Sequence, residues 1–258
     1  MYDLTPDLVV TADGPVRLVE LNRPEQLNAM SEGLHTALAG LWDELTADEQ
    51  ARAVVLTGRG RAFSAGGNFE VMTRVQRDAA FREQNVDEAR RIMTGMLRCP
   101  LPIVAAVNGP AVGLGSSLAL LSDLVLMAPE AYLSDPHVKV GLVAGDGGAL
   151  LLPLIVGPAR AKELLFLGGR VGAEDAVRLG IANRVAAGGE ALLTEAMDLA
   201  HRLSALPAQA LRETKRAVNL HLEQALGTVM ESALLAERES MSSPEHAAIV
   251  EEIISRKR

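Results

Sequence analysis

The sequence predicts an α/β fold in which mostly parallel strands alternate with helices and a helical segment follows. Short β-branched runs such as Ala53–Thr57 and Ile103–Val107 are separated by stretches with helical spacing of apolar residues. This alternation is typical of parallel α/β proteins. Beyond residue 190 nearly every stretch has helical spacing. The strand–strand–helix units share no sequence period, so a solenoid of short repeats is not predicted.

The first elements are predicted to be a β-hairpin, a helix and a buried strand. Leu8–Thr11 and Val16–Leu21 flank Asp13-Gly14, a dipeptide that favours a hairpin turn. Ser31 suits the N-cap of the next helix. That helix is marked by leucines at helical spacing, Leu34, Leu38, Leu41 and Leu45. The β-branched run at 53–57 then predicts a buried strand.

A long helix, further strands and a short helix are predicted for the middle of the chain. The long helix spans about Asp78–Arg98 and ends before Pro100, because the residue before a proline disfavours helical backbone. The elements that follow are predicted at Ile103–Val107 (strand), Ser116–Leu121 (helix), Leu124–Ala128 (strand) and Leu133 (short strand).

The rest of the chain is predicted to be mainly helical. Pro158 suits the first position of a helix that runs to Leu167, and Gly180 suits the residue that closes a short helix over Glu174–Leu179. The remaining predictions are a strand at Ile181–Val185, helices from Glu190 with breaks near Pro207 and Ser242, and a basic end at Arg256-Lys257-Arg258. An apolar stripe follows these helices at Leu222, Leu226, Val229 and Ala233. It fits packing on the chain's own core and packing on another subunit equally well.

The composition argues against several classes of partner. The 258 residues are 48% hydrophobic, with a net charge of -8 and a pI near 5.2, so a nucleic-acid-binding face is not expected. Cys99 is the only cysteine, which fits a reducing cytoplasm. The N-terminus lacks the basic and apolar regions of a signal peptide. The apolar stretches are shorter than the ~20 residues that a membrane helix needs, so no membrane partner is expected.

Two glycine-rich turns carry the first indication of chemistry. Phe63–Asn68 and Asn108–Ser117 each follow a buried strand and lead into a helix. One such turn alone is more often only a tight turn. Two turns side by side would offer two free backbone N–H groups to one oxygen atom, which is the geometry of an oxyanion hole. The second turn lacks the third glycine of a dinucleotide fingerprint, and neither Ser116 nor Ser117 lies in a G-x-S-x-G motif.

The chain resembles the crotonase family, also called the enoyl-CoA hydratase/isomerase family, over nearly its whole length. The stretches that carry the resemblance are R-P-E-Q-L-N-A at Arg23–Ala29, V-V-L-T-G-R-G-R-A-F-S-A-G at Val54–Gly66, P-I-V-A-A-V-N-G-P-A-V-G-L-G at Pro102–Gly115, S-D-L-V-L-M-A at Ser122–Ala128 and A-E-D-A-V-R-L-G-I-A-N-R-V at Ala173–Val185. The resemblance implies a ββα spiral core over residues 1–195 that binds acyl-CoA and a helical trimerisation segment over 196–258. It also implies homotrimers, often paired into hexamers. The implied substrate is a coenzyme A thioester, with no other cofactor and no metal.

The resemblance also implies roles for individual residues. The backbone N–H groups of Gly67 and Leu114 would form the oxyanion hole. Contacts to the substrate and its coenzyme are implied for Glu25, Leu27, Asn28, Ser64, Ala65, Gly113 and Ser117. The basic end of the chain would bind a coenzyme phosphate or simply favour the dipole of the last helix.

The chain departs from typical hydratases at both of their catalytic glutamates. Ser117 stands at the first position, two residues after the last glycine of the second turn, and His137 stands at the second, after Pro136. Water addition to an enoyl double bond needs a base and an acid, so ordinary hydratase activity is not predicted.

His137 and Asp146, nine residues further on, are the predicted acid-base pair. The alternatives are that His137 caps a turn and that Asp146 caps the helix starting near Gly147. The spacing is similar to that of the crotonase-family β-diketone hydrolase, oxocamphor hydrolase, which suggests hydrolytic or retro-Claisen cleavage of a carbon–carbon bond. Two other functions stay open: hydration or isomerisation of an enoyl-CoA by His137 alone, and silent binding of acyl-CoA. The other histidines, His35, His201, His221 and His246, are predicted to be surface or structural residues.

Overall fold

A six-stranded sheet with the strand order β1-β2-β3-β4-β6-β9 forms the centre of the fold. The computed structural model describes residue 2 and residues 5–256, the last of these by its backbone only. The strands are β1 (Leu8–Asp13), β2 (Val16–Leu21), β3 (Ala53–Gly58), β4 (Ile103–Val107), β5 (Ala111–Val112), β6 (Leu124–Met127), β7 (Tyr132–Ser134), β8 (Arg170–Gly172) and β9 (Arg184–Val185). The helices are α1 (Glu32–Ala47), α2 (Phe69–Arg77), α3 (Ala79–Arg98), α4 (Leu114–Leu121), α5 (Gly148–Leu167), α6 (Ala173–Arg178), α7 (Glu190–Ser204), α8 (Ala208–Met241) and α9 (Pro244–Arg256). The predicted α/β class with a helical C-terminal region is confirmed.

Local sequence signals explain the first half of this sheet. Gly14, at φ 54°, closes the antiparallel hairpin of β1 and β2. Every residue of β3 and β4 is buried, which fits their continuous apolar runs and their parallel pairing in the sheet interior. The side chain of Ser31 accepts a hydrogen bond from the N–H of Leu34 and so begins α1 as predicted. Helix α1 packs on α3, where a Cβ atom at Gly95 would lie 2.9 Å from Trp42.

A three-stranded sheet with the order β5-β7-β8 lies next to the second glycine turn. Strand β5 runs parallel to β7, and β7 runs antiparallel to β8. This small sheet fixes the 3₁₀ turn His137–Val140, which follows β7 after two residues. It therefore positions His137 relative to the second glycine turn.

Several elements differ from the sequence predictions, and the short strands β5 and β8 were not predicted. Helix α5 begins at Gly148 rather than Pro158, because two helical stretches meet at Gly157, whose backbone is non-helical at φ 76°. Helix α2 was not predicted, since its few apolar residues follow the glycine turn without a clear periodic run. Strand β9 covers only the last two residues of the predicted Ile181–Val185.

The C-terminal helices cover the core and also leave apolar residues exposed. Helix α7 packs on β3 and β4, so the expected division between residues 195 and 196 falls inside a helix of the core. Helix α8 buries Leu226 and Leu234 but exposes Val229 and Leu235. The basic end predicted at 256–258 lies outside the described side chains. Within the part of the chain that the structure describes, no helix is long and apolar enough to cross a membrane.

Candidate active site

The two glycine turns lie side by side. Ser64 joins them through its backbone: its N–H donates to the carbonyl of Pro110 over 3.0 Å, and its carbonyl accepts from the N–H of Val112 over 2.9 Å. A Cβ atom at Gly113 would lie only 3.9 Å from the Cα of Gly66. The sequence predicted two neighbouring turns, and the main-chain pairing explains why they meet.

Gly67 and Leu114, whose backbone N–H groups are the predicted oxyanion donors, line a common cavity. Neither group donates a hydrogen bond to another described residue outside regular helix and strand pairing. Leu114 is the first residue of α4, so its N–H lies at the positive end of that helix. Gly66 adopts φ 81°, and a side chain there would meet the carbonyl oxygen of Val112 at 2.7 Å. Only glycine fits so close to the backbone of the second turn, and this contact keeps the N–H group of Gly67 next to that turn.

An open groove of about 640 Å³ leads to these donors. It is lined by Glu25, Leu27, Ala65 and Gly113, four of the residues for which substrate contact was predicted. We call it the outer groove. Its length along both turns suits an elongated ligand.

Asn28 and Ser64, also predicted to contact substrate, lie beneath the outer groove and are fully buried. The Asn28 amide donates to the carbonyls of Arg59 and Ala62, over 2.9 and 2.8 Å. The Ser64 hydroxyl donates to the carbonyl of Asn28 over 2.8 Å and accepts from the N–H of Gly66. Both side chains therefore fix the shape of the loops and do not reach a ligand.

A smaller cavity of about 80 Å³ continues from the outer groove, and we call it the inner cavity. Gly67, Met72 and His137 line both spaces. The remaining lining divides into polar residues, His35, Asn85, Asp146 and Glu237, and apolar residues, Met30, Val71, Val75, Leu114, Leu142 and Met241. Val71, Met72 and Val75 of α2 and Asn85 of α3 contribute to this lining.

His137 is held by Asp135, a residue that the sequence analysis did not single out. The Nδ1 atom of His137 lies 2.5 Å from Oδ1 of Asp135. Asp135 is only 5% exposed, because it ends β7 beneath the ring. An aspartate two residues before a histidine was the available signal, but its meaning depends on the 3₁₀ turn that brings the two side chains together.

Asp146 approaches the opposite nitrogen of the same ring. Its Oδ2 atom lies 3.5 Å from Nε2 of His137. Asp146 is buried and its Oδ1 atom has no hydrogen-bond partner among the described residues. Helix α5 begins after Gly147 without a side-chain cap. The predicted pair therefore meets, and the alternative in which Asp146 caps this helix is wrong.

Glu237 adds a third carboxyl group that the sequence analysis missed. It lies on α8, is 4% exposed, and lines the inner cavity. Its Oε2 atom has no hydrogen-bond partner among the described residues and would lie 2.8 Å from a Cβ atom at Gly145, next to Asp146. The one signal in the sequence was spacing on a helix. Glu237 lies three residues after Leu234 and four before Met241, and both of these residues are buried.

The carboxyl groups and the imidazole shift each other's pKa values. Burial lowers the pKa of His137, but the charges and hydrogen bonds of Asp146 and Asp135 outweigh it, so the pKa lies well above its ordinary value. Burial, reinforced by the charge of Asp146, raises the pKa of Glu237 well above its ordinary range. Glu237 therefore keeps its proton to a higher pH than an ordinary glutamate. His137 and Glu237 are thus two positions of the cluster that can carry a proton beside the inner cavity.

Ser117 lies behind this cluster and lines neither cavity. It is fully buried, and a Cβ atom at Gly147 would lie 2.3 Å from its hydroxyl oxygen. The small side chain therefore leaves room for the glycine that follows Asp146. A longer side chain at this position would displace the loop that carries the carboxylate.

Asp135, His137 and Asp146 also form a possible set of metal ligands, with ligand atoms within 4.8 Å of one another. A cation on Nδ1 would have to displace the hydrogen bond between His137 and Asp135. Both nitrogens of the ring already face a carboxylate, which suits a hydrogen-bonded proton carrier better than a metal centre. That no metal is needed stays a prediction.

Comparison with known proteins shows what this chain is similar to. The family model for enoyl-CoA hydratase/isomerase matches residues 11–252. A Thermus thermophilus protein provisionally named an enoyl-CoA hydratase is 43% identical over 211 residues, which are 81% of this chain and 82% of that protein. The crystal structure of an enoyl-CoA hydratase/isomerase from Mycobacterium paratuberculosis has a TM-score of 0.94 at 47% identity, covering 97% of this chain and 100% of that one. A β-diketone hydrolase from the cyanobacterium Anabaena, bound to (S)-3-oxocyclohexyl acetic acid, has a TM-score of 0.85 at 25% identity, covering 92% and 94%.

Proposed function

Because this chain belongs to the enoyl-CoA hydratase/isomerase family, we propose that it hydrolyses a carbon–carbon bond of a β-oxo acyl-CoA thioester. The observation that carries this proposal is the position of His137 between Asp135 and Asp146, on the wall shared by the outer groove and the inner cavity. In the same pocket, Gly67 and Leu114 offer N–H groups to an oxygen atom. A base and two oxyanion donors around one small cavity are the components that such a hydrolysis needs.

The thioester end of the substrate is assigned to the backbone donors. Coenzyme A lies along the outer groove, and the thioester oxygen accepts hydrogen bonds from Gly67 and Leu114. These bonds strengthen as the thioester becomes an enolate, because negative charge then collects on that oxygen. One such donor contributes about 2.7–4 kcal/mol of transition-state stabilisation in other enzymes.

The reaction begins with a water molecule at the β-ketone. In the fraction of the protein in which the ring is neutral, Nε2 of His137 takes a proton from water while the water oxygen bonds to the ketone carbon; because the pKa of His137 is raised, this fraction grows as pH rises. Asp135, bonded to Nδ1, fixes the ring and stabilises the imidazolium that forms. Asp146 faces the same Nε2 atom and stabilises the same charge.

The bond between the α- and β-carbons then breaks. Its electron pair moves into the thioester and forms the enolate held by the two N–H groups. The former ketone leaves as a carboxylic acid. The α-carbon takes a proton from the imidazolium or from protonated Glu237, so that a β-oxo thioester and water give a carboxylic acid and a shorter thioester.

Three further observations support hydrolysis over hydration. Ser117 and His137 stand where the resemblance expects two glutamates, and Ser117 is shielded from both cavities. Glu237 is not part of that glutamate pair and lies on α8. The chain is also similar to a β-diketone hydrolase over most of its length. The apolar residues exposed on α8 support the expected homotrimer or hexamer.

Isotope labelling in H₂¹⁸O with a panel of β-oxo and enoyl thioesters tests the reaction. Hydrolysis of the carbon–carbon bond places one ¹⁸O in the released carboxylic acid and leaves coenzyme A esterified in the shorter product. His137→Ala should remove this activity, whereas His201→Ala on the exposed face of α7 should leave it intact. Release of free coenzyme A, or rapid hydration of crotonyl-CoA without cleavage of β-oxo thioesters, would contradict the proposal.

A further inference from the structure

His35 lies in the inner cavity, although the proposed reaction does not use it. The sequence analysis predicted a surface or structural residue, but the side chain is only 6% exposed. It projects from α1 and lines the same cavity as His137 and Asp146. A buried histidine inside an acyl pocket raises the question of what it binds.

One nitrogen of the His35 ring is already taken by Glu88. Nδ1 of His35 lies 2.7 Å from Oε2 of Glu88, which is itself 6% exposed on α3. The other oxygen of Glu88 accepts from the Thr36 hydroxyl over 2.8 Å and from the Gln84 amide over 2.9 Å. Burial raises the pKa of Glu88, but these three hydrogen bonds outweigh it and lower the pKa, so the carboxyl group is ionised at neutral pH.

The ionised carboxylate determines which ring nitrogen remains for a ligand. A carboxylate without a proton only accepts hydrogen bonds, so Nδ1 of His35 must donate to Glu88. Nε2 makes no hydrogen bond with another described residue, and it stands on the far side of the ring from Glu88. A buried His–Glu pair that only joined α1 to α3 would not need to line a cavity.

Asn85 supplies a second polar group to the same cavity. It lies one helical turn before Glu88 on α3, and its side-chain amide makes no hydrogen bond with another described residue. The same cavity is also lined by apolar side chains, among them Val71 and Val75 of α2 and Met241 of α8. His35, through Nε2, and Asn85 therefore offer two unused polar groups beside apolar neighbours, which marks a place for a polar atom of the substrate.

We infer that His35, positioned by Glu88, binds a hydroxyl group on the acyl chain, separate from the thioester oxygen. Because Nδ1 carries the proton, Nε2 is an acceptor, and the hydroxyl donates to it. The Asn85 amide can donate to the oxygen of the same hydroxyl. The inference rests on the proposed function only in that the acyl group occupies the inner cavity. It assigns the substrate to hydroxylated acyl chains rather than plain alkyl chains.

Binding measurements separate this inference from the reaction itself. In a His137→Ala background, which prevents turnover, calorimetry compares hexanoyl-CoA with its 3-hydroxy, 4-hydroxy and 5-hydroxy derivatives. The preference for the best hydroxy derivative over hexanoyl-CoA should fall about 3- to 10-fold in His35→Asn, as expected for a hydrogen bond between neutral groups. Asparagine retains a donor for Glu88 but places nothing at Nε2.

Two further variants guard against misfolding as an explanation. The double change His35→Leu with Glu88→Leu removes both partners of the pair, so no buried charge is left alone. It should abolish the preference for the hydroxy derivative while hexanoyl-CoA still binds. His201→Asn is the matched surface control and should leave both affinities unchanged.

The outcomes are distinct. A hydroxy preference that survives in both His35 variants, or no preference for any hydroxy derivative, overturns the inference even if carbon–carbon cleavage is found. A preference that depends on His35 in a protein without cleavage activity supports the inference and contradicts only the proposed reaction.

Discussion

Replacing Asp135 with asparagine is expected to lower the pKa of His137 and to slow turnover by two to four orders of magnitude. Burial lowers that pKa, while Asp146 and Asp135 together hold it well above 6.5. Removing one of these opposite charges lowers the pKa of His137, because the imidazolium loses a favourable interaction at Nδ1. The rate falls further because an asparagine amide can donate to Nδ1 and reverse the tautomer, which costs about 10⁴-fold in a comparable triad.

Nuclear magnetic resonance of ¹⁵N-labelled histidine measures the pKa and the tautomer of His137, and it needs no substrate. In the wild type, Nδ1 of His137 should stay protonated throughout, and the ring should titrate above its ordinary range. In Asp135→Asn the titration should move to lower pH, and the neutral ring should change tautomer. Asp146→Asn should also lower the pKa but retain the proton on Nδ1. Asp123→Asn, which alters an anchor for Ile103 and Lys215 elsewhere, is the control.

Thermal unfolding gives a second readout with a defined sign. The folded-state pKa of His137 is raised, so its contribution to stability is present below pH 6.5 and is lost as pH rises through the folded-state value. The destabilisation of Asp135→Asn should therefore be largest in acid and should shrink at alkaline pH. An unchanged His137 titration and tautomer in Asp135→Asn would refute the assignment of Asp135 as the residue that orients the ring.

Three further changes test neighbouring parts of the site. Glu237→Gln should raise the free energy of unfolding by about 1–3 kcal/mol near pH 8, because burial of Glu237 penalises its ionisation. Turnover should fall in the same variant. Melting curves from pH 5 to 8 measure the change in stability. Ser117→Glu should destabilise the protein by about 1–3 kcal/mol through its clash with Gly147 and should not create hydratase activity, as measured by denaturant unfolding and a crotonyl-CoA assay. Gly66→Ala should lower kcat more than 100-fold and leave the affinity for coenzyme A nearly intact. The added Cβ atom meets the carbonyl oxygen of Val112 and shifts the neighbouring N–H donor of Gly67. Steady-state kinetics measure kcat, and calorimetry measures the affinity.

Much of the fold could be predicted because its signals are local. The hairpin at Gly14 and the cap at Ser31 each depend on a few adjacent residues, and the structure confirms both. The oxyanion turns were predicted for the same reason, since glycines after buried strands suit only a few backbone conformations. Helix α5 shows the limit: Gly157 interrupts it, and the sequence pattern revealed only the second half.

The acid-base groups could be predicted only in part, because their roles depend on contacts between distant segments. Asp135 is next to His137 in sequence, but its hydrogen bond to Nδ1 requires the turn that follows β7. Glu237 reaches the cavity from α8, where no local pattern indicates chemistry. His35 has the helical spacing of a core residue, and only its partner Glu88 on α3 reveals that one nitrogen is left for a ligand.

The division of the site between two kinds of structure bears on how this fold can acquire new reactions. The N–H groups of Gly67 and Leu114 belong to the backbone at the ends of buried strands, so substitutions elsewhere hardly alter them. The proton-carrying side chains stand on a short turn, a glycine-rich loop and one helix, at His137, Asp146 and Glu237. A few substitutions in these three segments can change the product formed from the enolate without altering the backbone N–H groups that stabilise it. Ancestral sequences that differ only there should therefore retain thioester binding and yet form different products.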